Sequence, residues 1–230
     1  MLNDRKLWIV LSILIVVLFG LFLEAMAEGK KSIILLDPAH GGKDKGLALS
    51  KDVYEKDITL TVALAIEKEM ATDKKIAVVL MRDQDKTMSI EDRRKFVEQI
   101  KPEFVISLHV NGGFGKEAAG FEIYYPECGE GVMKGQKAAA TGRNSIHKKC
   151  QSDSLKMAKI VQENMSNLFP RKGRGLRKAD LPITDGMAIP ALSVEMGFAT
   201  NAGDRKKLLN EKTQAEIASA LARSIKTFSR

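Results

Sequence analysis

Three histidines occur in this chain of 230 residues, and two of them stand in matching surroundings. His40 follows the apolar run Ile33-Ile34-Leu35-Leu36 through Asp37-Pro38-Ala39 and precedes Gly41-Gly42. His109 follows Phe104 to Leu108 and precedes Val110-Asn111-Gly112-Gly113. A third apolar run, Ala191 to Met196, delivers Glu195 just before Gly197, and Glu55 opens a helical pattern one loop after His40. Short apolar runs of this kind read as strands buried on both faces. Open α/β sheets carry their ligand sites at the carboxyl ends of such strands, so groups distant in sequence can converge there. Two imidazoles and a carboxylate are the ligand set of a catalytic zinc site that keeps one position open for water. A second carboxylate is then suited to act as general base. At this level it stays open which carboxylate takes which role. Glu55 also has a structural alternative, as a helix N-terminal carboxylate favoured by the macrodipole, and Glu195 has one as an ion-pair partner of a nearby arginine.

The elements that must position these groups follow from periodicity. The strand to Asp37 is stopped by Pro38, which has no N–H to donate. Glu55 to Met70 places Ile58, Val62 and Ile66 one turn apart on a helical face. Ala77 to Met81 is a second strand. Ser89 and Asp92 form a capping-box start for a helix ending near Ile100, ahead of Pro102. Phe104 to Leu108 and Gly120 to Tyr125 are further strands, Ser154 to Leu168 a helix, and Ala191 to Met196 another strand. The terminal helix is expected over Thr213 to Phe228, with Thr213 and Glu216 as a capping box. Strands alternating with helices predict an α/β fold: a single domain with a largely parallel, mixed central sheet flanked by helices. Residues 127 to 152 interrupt the pattern. They are rich in Gly, Ala and Lys, with no acid from Gly131 to Ser152, and read as an inserted surface loop in which His147 is solvated.

Composition sets the compartment. Arg5 and Lys6 precede the apolar run Leu7 to Leu23, followed by Glu24 and the small-x-small sequence Ala25-Met26-Ala27. Residues 1–27 therefore read as a secretory signal peptide or, if uncleaved, an N-terminal membrane anchor. Residues 28–230 form the domain, exported to the periplasm, cell envelope or exterior. Cys128 and Cys150 are the two cysteines. In an oxidising compartment they either close a disulfide loop or remain two thiols. Lys plus Arg exceed Asp plus Glu by 37 − 29 = 8. The basic stretches Lys134–Lys149 and Arg171–Lys178 suit anionic wall polymers, phospholipid headgroups or peptide carboxylates, and equally a solvated face. Export and the lack of an aromatic-rich basic patch exclude nucleic acid as a partner.

Five ordered motifs carry a family resemblance: Asp37-Pro38-Ala39-His40-Gly41-Gly42, Tyr54-Glu55-Lys56-Asp57, Leu80-Met81-Arg82-Asp83, Ser107-Leu108-His109-Val110-Asn111 and Val194-Glu195-Met196-Gly197-Phe198. Together they resemble the zinc-dependent N-acetylmuramoyl-L-alanine amidases of bacterial cell walls, the amidase type 3 family, across most of residues 32–228. The resemblance implies that family's phosphorylase/hydrolase-like α/β fold. It also implies one zinc ion held by His40, Glu55 and His109, and Glu195 as the catalytic carboxylate. The reaction implied is hydrolysis of the amide between N-acetylmuramic acid and the L-alanine of the peptidoglycan stem peptide. An activator protein is a further expected partner, and the chain is expected to act as a monomer. Two other functions compete: a non-catalytic peptidoglycan-binding module, and a zinc peptidase cutting within the stem peptide. The chain departs from the family pattern where Ala39 replaces the usual Gly, where the 127–152 insertion lacks an acid beyond Glu127 and Glu130, and over Leu181 to Gly186. Asn111 either orients a ligand or substrate or only shapes its turn, and Arg82 is expected to pair with a local carboxylate.

Overall fold

Six strands and five helices build the domain in a computed structural model that describes residues 30–128, 140–169 and 174–229. The architecture is that of Ser32–Arg230, which form one unit. The export segment expected over residues 1–27 lies outside the described residues. Among the described residues no helix is long and apolar enough to cross a membrane.

The strands are β1 (Ser32–Pro38), β2 (Ile76–Leu80), β3 (Phe104–Asn111), β4 (Glu122–Tyr125), β5 (Leu176–Lys178) and β6 (Ala191–Phe198). They form one sheet in the order β2-β1-β3-β6-β4-β5. β2, β1, β3 and β6 run parallel, whereas β4 runs antiparallel to β6 and carries β5 along its outer side. The helices are α1 (Glu55–Met70), α2 (Ile90–Ile100), α3 (Ala140–Met165), α4 (Ala202–Leu208) and α5 (Glu211–Phe228).

Alternation along the strands sorts residues onto two faces, and the two faces are covered unequally. Ile34, Leu36, Ile106, Leu108, Leu192, Val194 and Ile123 join the large apolar core with α1, α3 and α5. On the other face Leu35, Val105 and Ala191 join a smaller cluster with Met81, Val97 of α2 and Ile183, edged by half-buried side chains such as Phe96 and Met88. Further along that second face the strands carry Asp37, Ser107 and Ser193 in one register row, and His109, Glu195 and Glu122 in the next. Polar rows like these need partners or solvent, and this is where a substrate can lie.

Four expectations change. The helix α3 starts at Ala140, so the second half of the expected 127–152 loop is helical. The helix expected from Ser154 extends back through Cys150, which is buried at helical spacing with Ser154, Met157, Val161 and Met165. His147 is correspondingly not a free loop residue, since its Nδ1 lies 3.1 Å from the Cys128 carbonyl. The terminal helix begins at Glu211 with Asn210 as its cap, whose side chain accepts from the Thr213 N–H. Among the described residues Arg82 pairs with no carboxylate. It is buried and donates to the carbonyls of Pro38 and Ala39 at 2.8 and 3.0 Å and to that of Lys56 at 2.8 Å. Cys128 and Cys150 are joined in a disulfide, which ties the segment after β4 to α3.

Candidate functional site

The end of β1 is held in an uncommon backbone state. His40 has φ 62°, a left-handed conformation that side chains other than Gly rarely adopt and that tends to occur at functional sites. Buried Arg93 fixes it by donating to the His40 carbonyl at 2.6 Å while pairing with Asp37. Arg82 holds the preceding carbonyls, so two guanidiniums secure one turn. Ala39 stays outside the left-handed region, which is why alanine fits where the family motif has glycine.

Turning back at the glycines brings the loop over Glu55. Gly46 is required there, because a Cβ would meet Glu55 Oε2 and His40 Cδ2 at 2.7 Å each. Glu55 is the first residue of α1 and is 2 % exposed. Its Oε2 accepts from the Leu47 N–H at 3.1 Å and its Oε1 from the Val110 N–H at 3.0 Å. The same Oε1 faces His40 Nε2 at 3.1 Å and His109 Nδ1 at 3.3 Å. One ligand atom from each of these three residues lies within 4.8 Å of the others. Tetrahedral bonds of about 2.1 Å from one divalent ion place ligand atoms about 3.4 Å apart, so the donor set and its spacing fit a metal ion. His40 Nδ1 lies 2.8 Å from Asp44 Oδ2. That is the outer carboxylate–imidazole contact that orients a metal-binding histidine and leaves Nε2 free.

The electrostatics separate the two carboxylates. Burial alone would raise Glu55, but the hydrogen bonds of His109 and His40 outweigh it and bring its pKa down to about 2. The Glu55 hydrogen bond lifts His40 to about 9 against the effect of its burial. Burial pulls His109 down, yet Glu55 and the charge of Glu195 carry it above its ordinary value. Glu195 pairs in register with His109 across β3 and β6, so both side chains lie on the thinly covered face. Among the described residues the Glu195 side chain makes no hydrogen bond or ion pair. Burial pushes it up to about 7, with the histidines offsetting part of that rise. A cleft of about 270 Å³ opens beside His40 and His109, with Met88, Ile90 and Leu181 to Ile183 along its wall.

The structure thus brings together His40, Glu55, His109 and Glu195, the four residues singled out from sequence. Sequence reasoning missed Asp44 and Glu122. The only local signal for Asp44 is its separation of four residues from His40. Glu122 shows only as an acid in an alternating strand. Asn111, left open at the sequence level, donates to Glu122 Oε2 at 2.8 Å.

Known proteins share this arrangement of chain. The sporulation-specific N-acetylmuramoyl-L-alanine amidase of Bacillus subtilis is 31% identical over 188 residues, 81% of this chain and 62% of that protein. The structure of an N-acetylmuramoyl-L-alanine amidase from Clostridium difficile matches 87% of this chain and 97% of its own, at 25% identity and a TM-score of 0.70. The CwlD amidase of Clostridioides difficile, solved in complex with the GerS lipoprotein, has the same fold at 22% identity and a TM-score of 0.69, with 86% and 98% of the two chains covered. The family model described as N-acetylmuramoyl-L-alanine amidase matches residues 34–227, from the first core strand into the last helix. With that span matched and the expected α/β sheet in place, the chain belongs to the N-acetylmuramoyl-L-alanine amidase family.

Proposed function

We propose that this amidase holds one zinc ion with His40, Glu55 and His109 and uses Glu195 to move the proton during hydrolysis of the bond between N-acetylmuramic acid and L-alanine. The observation that supports it most is the His40–Glu55–His109 cluster around the buried Glu55, with Glu195 one strand away and its carboxylate unpartnered among the described residues. Zinc bound there supplies a Lewis acid and brings the pKa of water toward 7. Glu195, with a pKa near neutrality, takes a proton from the water as its oxygen attacks the amide carbonyl carbon. It then passes that proton to the nitrogen as the C–N bond breaks, so that an amine leaves rather than its anion. Glu55 stays ionised throughout and balances positive charge at the cluster. Asp44 holds the His40 ring in place, and Arg93 and Arg82 hold the backbone that carries it.

The substrate places the work in the cell wall, so the chain acts outside the cytoplasm, with residues 1–27 as the export segment and residues 28–230 as the catalytic domain. The GerS complex of the CwlD neighbour is the support for an accessory protein partner here. Digestion of purified peptidoglycan followed by mass spectrometry of the new ends tests the reaction. Peptides beginning with a free L-alanine amine, with intact lactyl-muramic acid left on the glycan, are the expected products. New ends within the stem peptide would point to a zinc peptidase, and no release would point to a binding module.

A further inference from the structure

The open sheet face carries a second charged group that the hydrolysis does not use. Glu122 of β4 pairs in register with Glu195 from one side, as His109 of β3 does from the other. The three therefore form one row on adjacent strands, about 4.8 Å per step. Glu122 is 4 % exposed. Its Oε2 accepts from Asn111 Nδ2 and from the Tyr124 hydroxyl at 2.8 Å, and its Oε1 from Arg174 Nε at 2.7 Å. Arg177 stands in register with Tyr124 and brings Nη2 to 3.5 Å from Oε1.

A buried carboxylate needs hydrogen bonds and an opposite charge. Asn111, Tyr124 and Arg174 supply both. Arg177 brings a second guanidinium to the same carboxylate oxygen, which Arg174 already holds at 2.7 Å. The two arginine side chains are 41 % and 50 % exposed, so each guanidinium still reaches solvent. An Arg pair held at its base by a buried acid and open at its tip is organised to take a carboxylate in a fork-like contact.

We propose that Arg174 and Arg177, anchored on Glu122, form a subsite for a carboxylate of the leaving stem peptide. This rests on the amidase reading above. If Glu195 returns the proton to the leaving nitrogen, the released amine lies at Glu195, and a peptide that follows the row of strands from there meets Glu122 next. One residue of extended chain spans about 3.5 Å. A carboxylate on the peptide's second residue therefore arrives where the next strand carries Glu122 and its arginines. The basic stretch that sequence left between a solvated face and an anion-binding one thereby gains a specific ligand.

The test compares N-acetylmuramoyl-L-alanyl-D-alanine with its C-terminal carboxamide, alongside peptidoglycan digestion. The parent enzyme is expected to cleave the carboxylate form with roughly tenfold higher kcat/KM, the difference lying in KM. Arg177→Gln should remove that preference and leave the carboxamide rate and the melting temperature unchanged, and Arg177→Lys should restore part of it. An Arg177→Gln loss shared equally by both substrates would mean that the arginines only neutralise Glu122, and the subsite would be rejected. A parent enzyme that digests peptidoglycan but treats the two small substrates alike, cleaving both or neither, also overturns it. Release of no amine from peptidoglycan would instead strike the amidase reading itself.

Discussion

Glu55 and Glu195 both act on His109, from different regions of the molecule, and the fold treats them in opposite ways. Glu55 sits at the first turn of α1 with two backbone N–H donors and two imidazoles around it, and its pKa is held down to about 2. Glu195 sits in the middle of β6 with no hydrogen bond to its carboxylate among the described residues, and burial pushes it up to about 7. A carboxylate that stays charged at any working pH suits a cation. One that gains and loses a proton near neutrality suits proton transfer. Environments that push two carboxylates apart in this way support the proposed division of roles, which composition and spacing alone leave undecided.

The largest expected effect comes from Glu195. Glu195→Gln should lower kcat by about 10²–10⁴-fold, the usual contribution of a positioned acid–base group, with the fold unchanged by circular dichroism. Turnover at the parent's rate would remove Glu195 from the proton path. Next in size is the pH profile of kcat/KM. The raised carboxyl must be ionised to accept a proton, so the rate should fall about tenfold per unit as pH drops below 7. A profile flat down to pH 5 would break the contrast with Glu55. Asp44→Asn should weaken zinc binding by about tenfold through loss of the contact that orients His40, and added zinc should recover the activity. Competition with a chelator measures this, and an unchanged affinity would reduce Asp44 to a surface contact.

The smallest effect lies in stability without metal. Glu55 is lowered from 4.5, so its contribution is present above about pH 4.5 and fades as pH falls toward 2. Glu195 is raised from 4.5, so its contribution is present below about pH 4.5 and is lost as pH rises through 7. Urea unfolding across pH should show the second slope disappear in Glu195→Gln and remain in the parent.

Much of this frame was legible in the chain because the apolar runs are short, separate and end in unlike residues. The runs before His40 and His109 mark core strands directly, and helical spacing at Ile58, Val62 and Ile66 marks α1. What escaped depends on partners distant in sequence. Glu122 looks like any solvent-facing acid in an alternating strand. Only the antiparallel turn of β4 onto β6 sets it beside Glu195. Charge suggests a carboxylate partner for Arg82, yet it meets the Pro38 and Ala39 carbonyls where the chain turns after β1. Composition also misled over residues 140–152, which begin the helix whose buried side chains run from Cys150 to Met165. The short helix α4, capped by Asn201, and the strand β5 carry too few apolar residues to stand out.

Metal content bears on the division of labour most directly. Glu55→Gln and Glu195→Gln, purified side by side in the presence of zinc, can be compared by elemental analysis. One zinc per chain is expected in Glu195→Gln and well under one in Glu55→Gln. Full zinc in Glu55→Gln, or its loss from Glu195→Gln, would contradict it.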